Sequence, residues 1–313
     1  MPPVSLPDEV RDACAWVAAR ASAVRIEAAA IEAYAAAIDS PDEEAPDNQL
    51  GPDADRESRA ALAICLNAIN FGSGWWPTIR KRPGHSGFFT VAAGLSQRFR
   101  EHGPWPAAEL TRLGAADLAA VLGQDPEHPL MAQFAAALHN VGEHLEAEHG
   151  GSFAATVDLA RGSVPALAGL LAAWEAFADV SKYGERRVPF FKRAQLAAAD
   201  LARAGVAELQ GLDQLTAFAD NLVPHVLRVD GVLSLDPALT ARIEAGDLLV
   251  HGSPEEVELR ACAVHAVELL VAARARSGAP PLAAAEVDSA LWNRGRERRY
   301  KALPRPRSRN TAY

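Results

Sequence analysis

Cysteine is close to absent from this chain. Cys14, Cys65 and Cys262 are its only three, odd in number, far apart and never in a Cys-x-x-Cys pair. That speaks against a disulfide framework and makes a reducing cytosol the simpler expectation. Long apolar runs are missing as well: Arg, Glu or Asp interrupts every stretch that approaches membrane-spanning length. The start, Met1-Pro2-Pro3-Val4-Ser5-Leu6-Pro7, has no basic region followed by an apolar one and does not read as a secretory signal. Positive charge is in deficit, with 31 Lys and Arg against 40 Asp and Glu, a formal net charge of −9 and a pI of about 5.5. Broad nucleic-acid binding needs a net basic face, so this balance argues against it. Alternating runs of Val, Ile, Thr or aromatic residues are sparse, and no tandem repeat is visible.

Helical periodicity fills the space those absences leave. Of the 313 residues 49% are apolar, and a chain this long buries roughly three quarters of its extended surface. Apolar residues recur at near-helical spacing over about 8–38 (Val10, Trp16, Val17, Val24, Ile31, Ile38), where Asp8 after Pro7 can cap the start. Further helices are expected at about 56–69, 88–100, 126–148, 164–179, 190–204, 254–276 and 280–298, with two short ones inside 107–122. Glu255, Glu256 and Glu258 suit the positive end of the 254–276 helix. The acidic stretch 40–55, with Pro41, Pro46, Gly51 and Pro52, reads as an exposed loop. Gly205 and Gly211 punctuate a helix–glycine–helix pattern. Asp230-Gly231 between apolar runs is a hairpin signal, but its helical surroundings favour helix followed by turn. The basic tail, 300–313, ending at Tyr313, is either a disordered end or a docked, extended strap. An all-α single domain over 1–313 follows, with room for two lobes at about 1–160 and 161–313.

Four features invite chemistry. Asp220 lies in the otherwise apolar Leu215-Thr216-Ala217-Phe218-Ala219-Asp220-Asn221; a carboxylate there caps a helix, forms a structural ion pair or is used. Lys192 and Arg193 are cations dropped into an aromatic and aliphatic helix, where a surface lysine is the plainer reading. Asn70-Phe71-Gly72-Ser73-Gly74-Trp75-Trp76-Pro77 sets two glycines among three large aromatics, which suits either a ring-stacking loop or core filling beneath a turn. A nucleophilic Ser73 would need a preceding strand, and a helix precedes it. His144 and His149 stand five apart and share no face, so a metal site is not expected at them.

These residues carry a resemblance. Asn67-Ala68-Ile69-Asn70-Phe71-Gly72-Ser73-Gly74, Phe191-Lys192-Arg193-Ala194-Gln195-Leu196, the Asp220 segment, Glu258-Leu259-Arg260-Ala261-Cys262 and the Arg-rich end resemble, in order, the queuosine salvage protein family. One departure is Asn221, where the family usually has Tyr. The resemblance implies a fold like the helix-hairpin-helix DNA glycosylases. It also implies hydrolysis of the N-glycosidic bond of queuosine 5'-monophosphate, releasing queuine, without metal or other cofactor. The partner is then a small nucleotide rather than nucleic acid or membrane. Asp220 becomes the expected catalytic carboxylate and Lys192 the expected phosphate contact, with Arg193 and the tail arginines behind it. Asn70, Asp200 and Glu256 are candidates for the base edge, and Phe71, Trp75, Trp76 and Trp292 for stacking. Asn221 and Arg294 complete the expected substrate-binding set. The rival readings are a DNA glycosylase-like enzyme, which would present a basic face with salt-dependent affinity, and a non-catalytic modified-nucleotide carrier.

Overall fold

Ser5 opens the first helix: its Oγ accepts from the Asp8 backbone N–H, so Asp8 lies in the first turn rather than at the cap. The structure, a computed structural model, describes residues 5–40, 50–51 and 53–313. Most of the expected 40–55 loop and the first four residues fall outside these. The expected single helix over 8–38 is three elements: α1 (Leu6–Ala18), β1 (Val24–Ile26) and α2 (Ala28–Ala36). The break has a cause that alanine-rich periodicity hides. The buried Glu258 carboxylate accepts from the backbone N–H groups of Ser22, Ala23 and Val24 at 2.7–3.0 Å, holding that stretch extended.

The remaining helices are α3 (Arg56–Ala68), α4 (Gly87–His102), α5 (Ala107–Leu110), α6 (Ala115–Leu122), α7 (Pro129–His149), α8 (Phe153–Asp158), α9 (Val164–Ala172), α10 (Lys192–Arg203), α11 (Leu222–Val229), α12 (Pro237–Glu244), α13 (Pro254–Ser277), α14 (Ala284–Arg294) and α15 (Arg298–Lys301). The long helix expected at 164–179 stops at Ala172. The expected turn at 230–231 follows α11, but instead of closing a local hairpin it leads to β4 (Leu233–Leu235), which pairs antiparallel with β1, Val24 opposite Leu235. A second small sheet pairs β2 (Val180–Tyr183) with β3 (Arg186–Pro189). The fold is thus predominantly helical, with short strands serving as clips.

Helix α13 is the central rod. It is buried on nearly every side from Glu256 to Val267, and packs against α1, α2, α11 and α14. Its buried charges Glu256, Glu258 and Arg260 all find partners, as burial demands. On the other side α3 and α10 pack together, with α4, α7 and α8 against α3 and α9 against α10. Between the two groups passes the irregular segment that carries Asp220. No described helix is long and apolar enough to cross a membrane.

Candidate active site

From Leu215 to Ala219 the backbone has no regular structure, yet every residue is buried. A buried irregular backbone must find partners elsewhere, and side chains from distant helices supply them. Arg11 of α1 donates to the Leu215 carbonyl (3.2 Å). The Thr216 N–H donates to Gln195 Oε1 on α10 (3.0 Å), and the Phe218 N–H donates to Asp288 Oδ1 on α14 (2.9 Å). Arg260 Nε on α13 donates to the Ala219 carbonyl (3.0 Å). Asp220 follows directly. Its Oδ1 accepts from the N–H groups of Leu222 (2.8 Å) and Val223 (3.1 Å), capping α11, while Oδ2 has no hydrogen-bond partner among the described residues. Capping therefore occupies one oxygen and leaves the other free.

Lys192 opens α10 immediately after Phe191, whose φ of 49° is left-handed and strained for an aromatic residue. Asp179 holds this turn: its carbonyl accepts from the Phe190 and Phe191 N–H groups, and its Oδ2 accepts from the Lys192 N–H (3.1 Å). The ammonium is buried and reaches the Asn70 carbonyl at 3.4 Å. Burial lowers the Lys192 pKa, opposed by the nearby Asp220 charge. Asp288 is pushed well above the usual carboxylate range, first by burial and then by Asp220. Lys192, Asp220 and Asp288 thus form one buried cluster with interacting charges.

Around it the expected residues sort into groups. Asn70 joins a chain in which its Nδ2 donates to Asn67 Oδ1 (3.4 Å) and Asn67 Nδ2 donates to Asp200 Oδ2 (2.8 Å); burial raises the Asp200 pKa. Asn221 Nδ2 donates to the Pro306 carbonyl (2.8 Å), fastening the tail. Trp76 is half-buried against Gly87, where a Cβ would come within 2.6 Å of the ring. Trp292 packs edge-on against Phe88 (6.0 Å) and Phe89 (5.8 Å), and it lies one helical turn beyond Asp288 on the same face of α14. These four half-buried rings gather where α4 begins. In the sequence, the adjacent Phe88 and Phe89 mark nothing more than helix core.

Other expected members stand apart. Phe71 is a core ring, edge-on to Phe134 (5.0 Å) and beneath the Arg193 guanidinium (5.0 Å). Arg193 is itself buried inside, its Nη1 donating to the Ala68 carbonyl at the end of α3. Trp75 is buried under Arg309. Glu256 is occupied: Oε1 accepts from the Tyr313 hydroxyl (2.8 Å) and Oε2 from the Gly252 N–H (3.0 Å). Arg294 is not brought to this group, because two residues beyond Trp292 is some 200° around the helix; it pairs with Asp230 and Tyr34 elsewhere. His144 stacks flat on Trp174 (4.9 Å), with Glu148 on its Nδ1 (2.7 Å). Among the described residues no cluster of His, Cys, Asp and Glu could hold a metal ion.

Of the two readings of the tail, the docked strap is the one observed. The Leu249 N–H donates to the Arg307 carbonyl (2.8 Å), Arg228 to the Pro304 carbonyl (2.8 Å) and the Gly72 N–H to the Tyr313 carbonyl (3.0 Å). Arg305, between Pro304 and Pro306, has no hydrogen bond or ion pair among the described residues. It lies close enough to Asp220 for their charges to interact.

Sequence reasoning missed Asp179, Gln195, Arg260 and Asp288 as a set. Their shared role is to bond the backbone on either side of the site from positions remote in the chain, which no local pattern marks. A family model described as queuosine salvage protein matches residues 50–313. The queuosine 5'-phosphate N-glycosylase/hydrolase of Sphaerobacter thermophilus is 33% identical over 267 residues, covering 82% of this chain and 82% of that protein. The protein of the same name from Nematostella vectensis is 28% identical over 237 residues, 71% of this chain and 68% of that protein. Its counterpart from Bos taurus is 29% identical over 194 residues, 59% and 57% respectively.

Proposed function

The chain belongs to the queuosine salvage protein family, and we propose that it is an N-glycosyl hydrolase that cleaves queuosine 5'-monophosphate and releases queuine for salvage. The observation that carries this reading is Asp220, with one oxygen fixed by two backbone N–H groups and the other unpartnered among the described residues, in a buried cluster with Lys192 and Asp288. N-glycoside cleavage passes through a ribosyl cation-like state, which a fixed carboxylate at C1' stabilises. The free Oδ2 suits that task, and the low-dielectric surroundings strengthen it.

The leaving base carries carbon where guanine has N7, so its departure must be assisted elsewhere on the ring. We assign Asp288 to this role: held neutral by burial and by Asp220, it can donate a hydrogen bond to the departing base. Trp76, Phe88, Phe89 and Trp292 supply stacking faces, with Asn70 and Asp200 at the polar edge. Lys192 is buried to 7% exposure beside the two carboxylates, which favours a part at the reacting end over contact with the phosphate. Arg305, a strap cation near Asp220 with no hydrogen bond or ion pair among the described residues, is the better phosphate contact, joined by charge-assisted bonds to the anion. Free, buried Cys14, Cys65 and Cys262 accord with a cytosolic location.

The test is direct. Purified protein is incubated with queuosine 5'-monophosphate and with queuosine, and free queuine is followed by chromatography. Release from both is expected, faster from the monophosphate, and Asp220→Asn lowers turnover on the order of a hundredfold or more. Binding without release would favour a carrier instead.

A further inference from the structure

The two charged groups of the proposed site reside on different parts of the chain, and one buried ion pair ties those parts together. Arg260 and Asp179 pair through two hydrogen bonds, Nη1 to Oδ1 (2.9 Å) and Nη2 to Oδ2 (2.6 Å), with side chains only 1% and 0% exposed. The third nitrogen of the guanidinium, Nε, donates to the carbonyl of Ala219, next to Asp220. The same Asp179 Oδ2 that accepts from Arg260 also accepts from the backbone N–H of Lys192. The pair therefore links the backbone beside Asp220 to the backbone of Lys192 through hydrogen bonds alone, with no flexible segment between them.

The pair is itself clamped. The guanidinium lies between the Phe190 ring (3.9 Å) and the Tyr313 ring (4.7 Å), and Glu256 stands 4.0 Å away, held by the Tyr313 hydroxyl. Burial alone would lower the Arg260 pKa; the Asp179 and Glu256 charges outweigh it and keep the group above its ordinary value. The Tyr313 carbonyl also accepts from the Gly72 N–H, two residues after the Asn70 carbonyl that Lys192 touches.

A buried ion pair is a poor way to gain stability, because apolar residues of similar volume serve as well or better. What apolar residues cannot do is donate to Ala219 and accept from Lys192 at fixed spacing. We propose that Arg260 and Asp179 are positioning residues, which set the distance between the Asp220 carboxylate and the Lys192 ammonium, with Tyr313 and Glu256 holding the guanidinium in plane. The inference rests on the reading of Asp220 as the catalytic carboxylate.

Arg260→Lys tests it. A lysine keeps the charge but cannot fork to Asp179 and reach Ala219 together. With queuosine 5'-monophosphate, kcat is expected to fall about 100-fold, the size of effect a displacement of about 1 Å produces, while KM stays within about threefold. In an Asp220→Asn background the same substitution should add no more than about a threefold loss, because the pair acts through Asp220. Circular dichroism and thermal melts establish that each variant is folded. Near-normal kcat in folded Arg260→Lys, or equal losses in both backgrounds, would overturn the proposal. Should Arg260→Lys fail to fold, Tyr313→Phe removes only the bond to Glu256. It should lower kcat several-fold at unchanged KM, and an unchanged kcat there is equally fatal. Failure of the underlying reading looks different: a wild type that releases no base, or a fully active Asp220→Asn, removes both.

Discussion

Asp220 and Asp288 are two carboxyl groups with unequal surroundings, and that inequality assigns the proton. Asp220 accepts from two backbone N–H groups and has the Lys192 ammonium nearby, whereas Asp288 accepts from one N–H in a fully buried position. Burial, and then the Asp220 charge, therefore keep the proton on Asp288. The sign of the pH dependence follows. The active form of Asp288 is protonated, so its fraction falls as pH rises through the raised pKa. The charged form of Lys192 is also lost on the alkaline side, at a pKa below the ordinary 10.5. Turnover should thus decline with rising pH, and Asp288→Asn should lower kcat about 10- to 100-fold while leaving only the lysine-dependent part of the alkaline limb. A pH profile of kcat for both proteins decides it: an unchanged limb with unchanged kcat removes Asp288 from the mechanism. Asp220 and Lys192 were legible in the sequence because each is a charge interrupting an apolar run. Asp288 was not, because what distinguishes it is the backbone of Phe218, 70 residues away, and no local pattern encodes that pairing.

Helices were legible where their apolar period and caps agree. The starts of α3 and α13 carry Asp55 and Ser253 as side-chain caps, and both expected helices end within a residue or two of the observed ones. The strands were not legible, because three or four residues are too few to show alternation and their extension is imposed from outside, as by Glu258 on residues 22–24. The strap stood between the two cases. Its alternation of Pro and Arg permits an extended conformation, but only distant contacts make it dock. One of those contacts is a glycine. Gly74 has no left-handed torsion; it is small because the strap backbone passes over it, and a Cβ there would meet the Ser308 carbonyl oxygen at 2.4 Å. Neither backbone can yield cheaply, so Gly74→Ala should cost about 1–3 kcal/mol by overpacking, expressed as release of the strap. Trypsin should then cut after Arg307 and Arg309 much faster than in the wild type, and base release should slow as Tyr313 leaves Arg260. Equal cleavage rates in the two proteins would show that the strap is held without this close approach.

For the molecule taken whole, the group most exposed to a change of pH near neutrality is histidine. His128, His149, His225 and His265 are all held below the ordinary 6.5 by burial. A histidine with a lowered folded pKa favours the folded state above 6.5, and that contribution is lost as pH falls through the folded value. His225 is the clearest case. It is 1% exposed, its Nε2 donates to the Tyr300 carbonyl (2.9 Å), and its Nδ1 is buried without a partner among the described residues. A second proton would add an N–H with nothing to accept it, close to Arg228 and Arg305. Other groups move in the opposite sense: burial raises Asp200 and Glu268, so the total pH dependence is a difference of opposing contributions. The comparison that isolates His225 is therefore between the wild type and His225→Gln, melted at several pH values from 7.5 to 5. A tenfold difference in proton affinity between the folded and unfolded chain is worth about 1.4 kcal/mol, and 1 kcal/mol moves Tm by roughly 2–4 °C in a chain of this size. The wild type should lose several degrees more than the variant over that interval, the gap opening below pH 6.5. Parallel curves would mean that His225 takes up its proton as readily in the folded protein as in the unfolded chain, so that below pH 6.5 the Tyr300 carbonyl and the strap beyond it are fastened by an imidazolium rather than by a neutral ring.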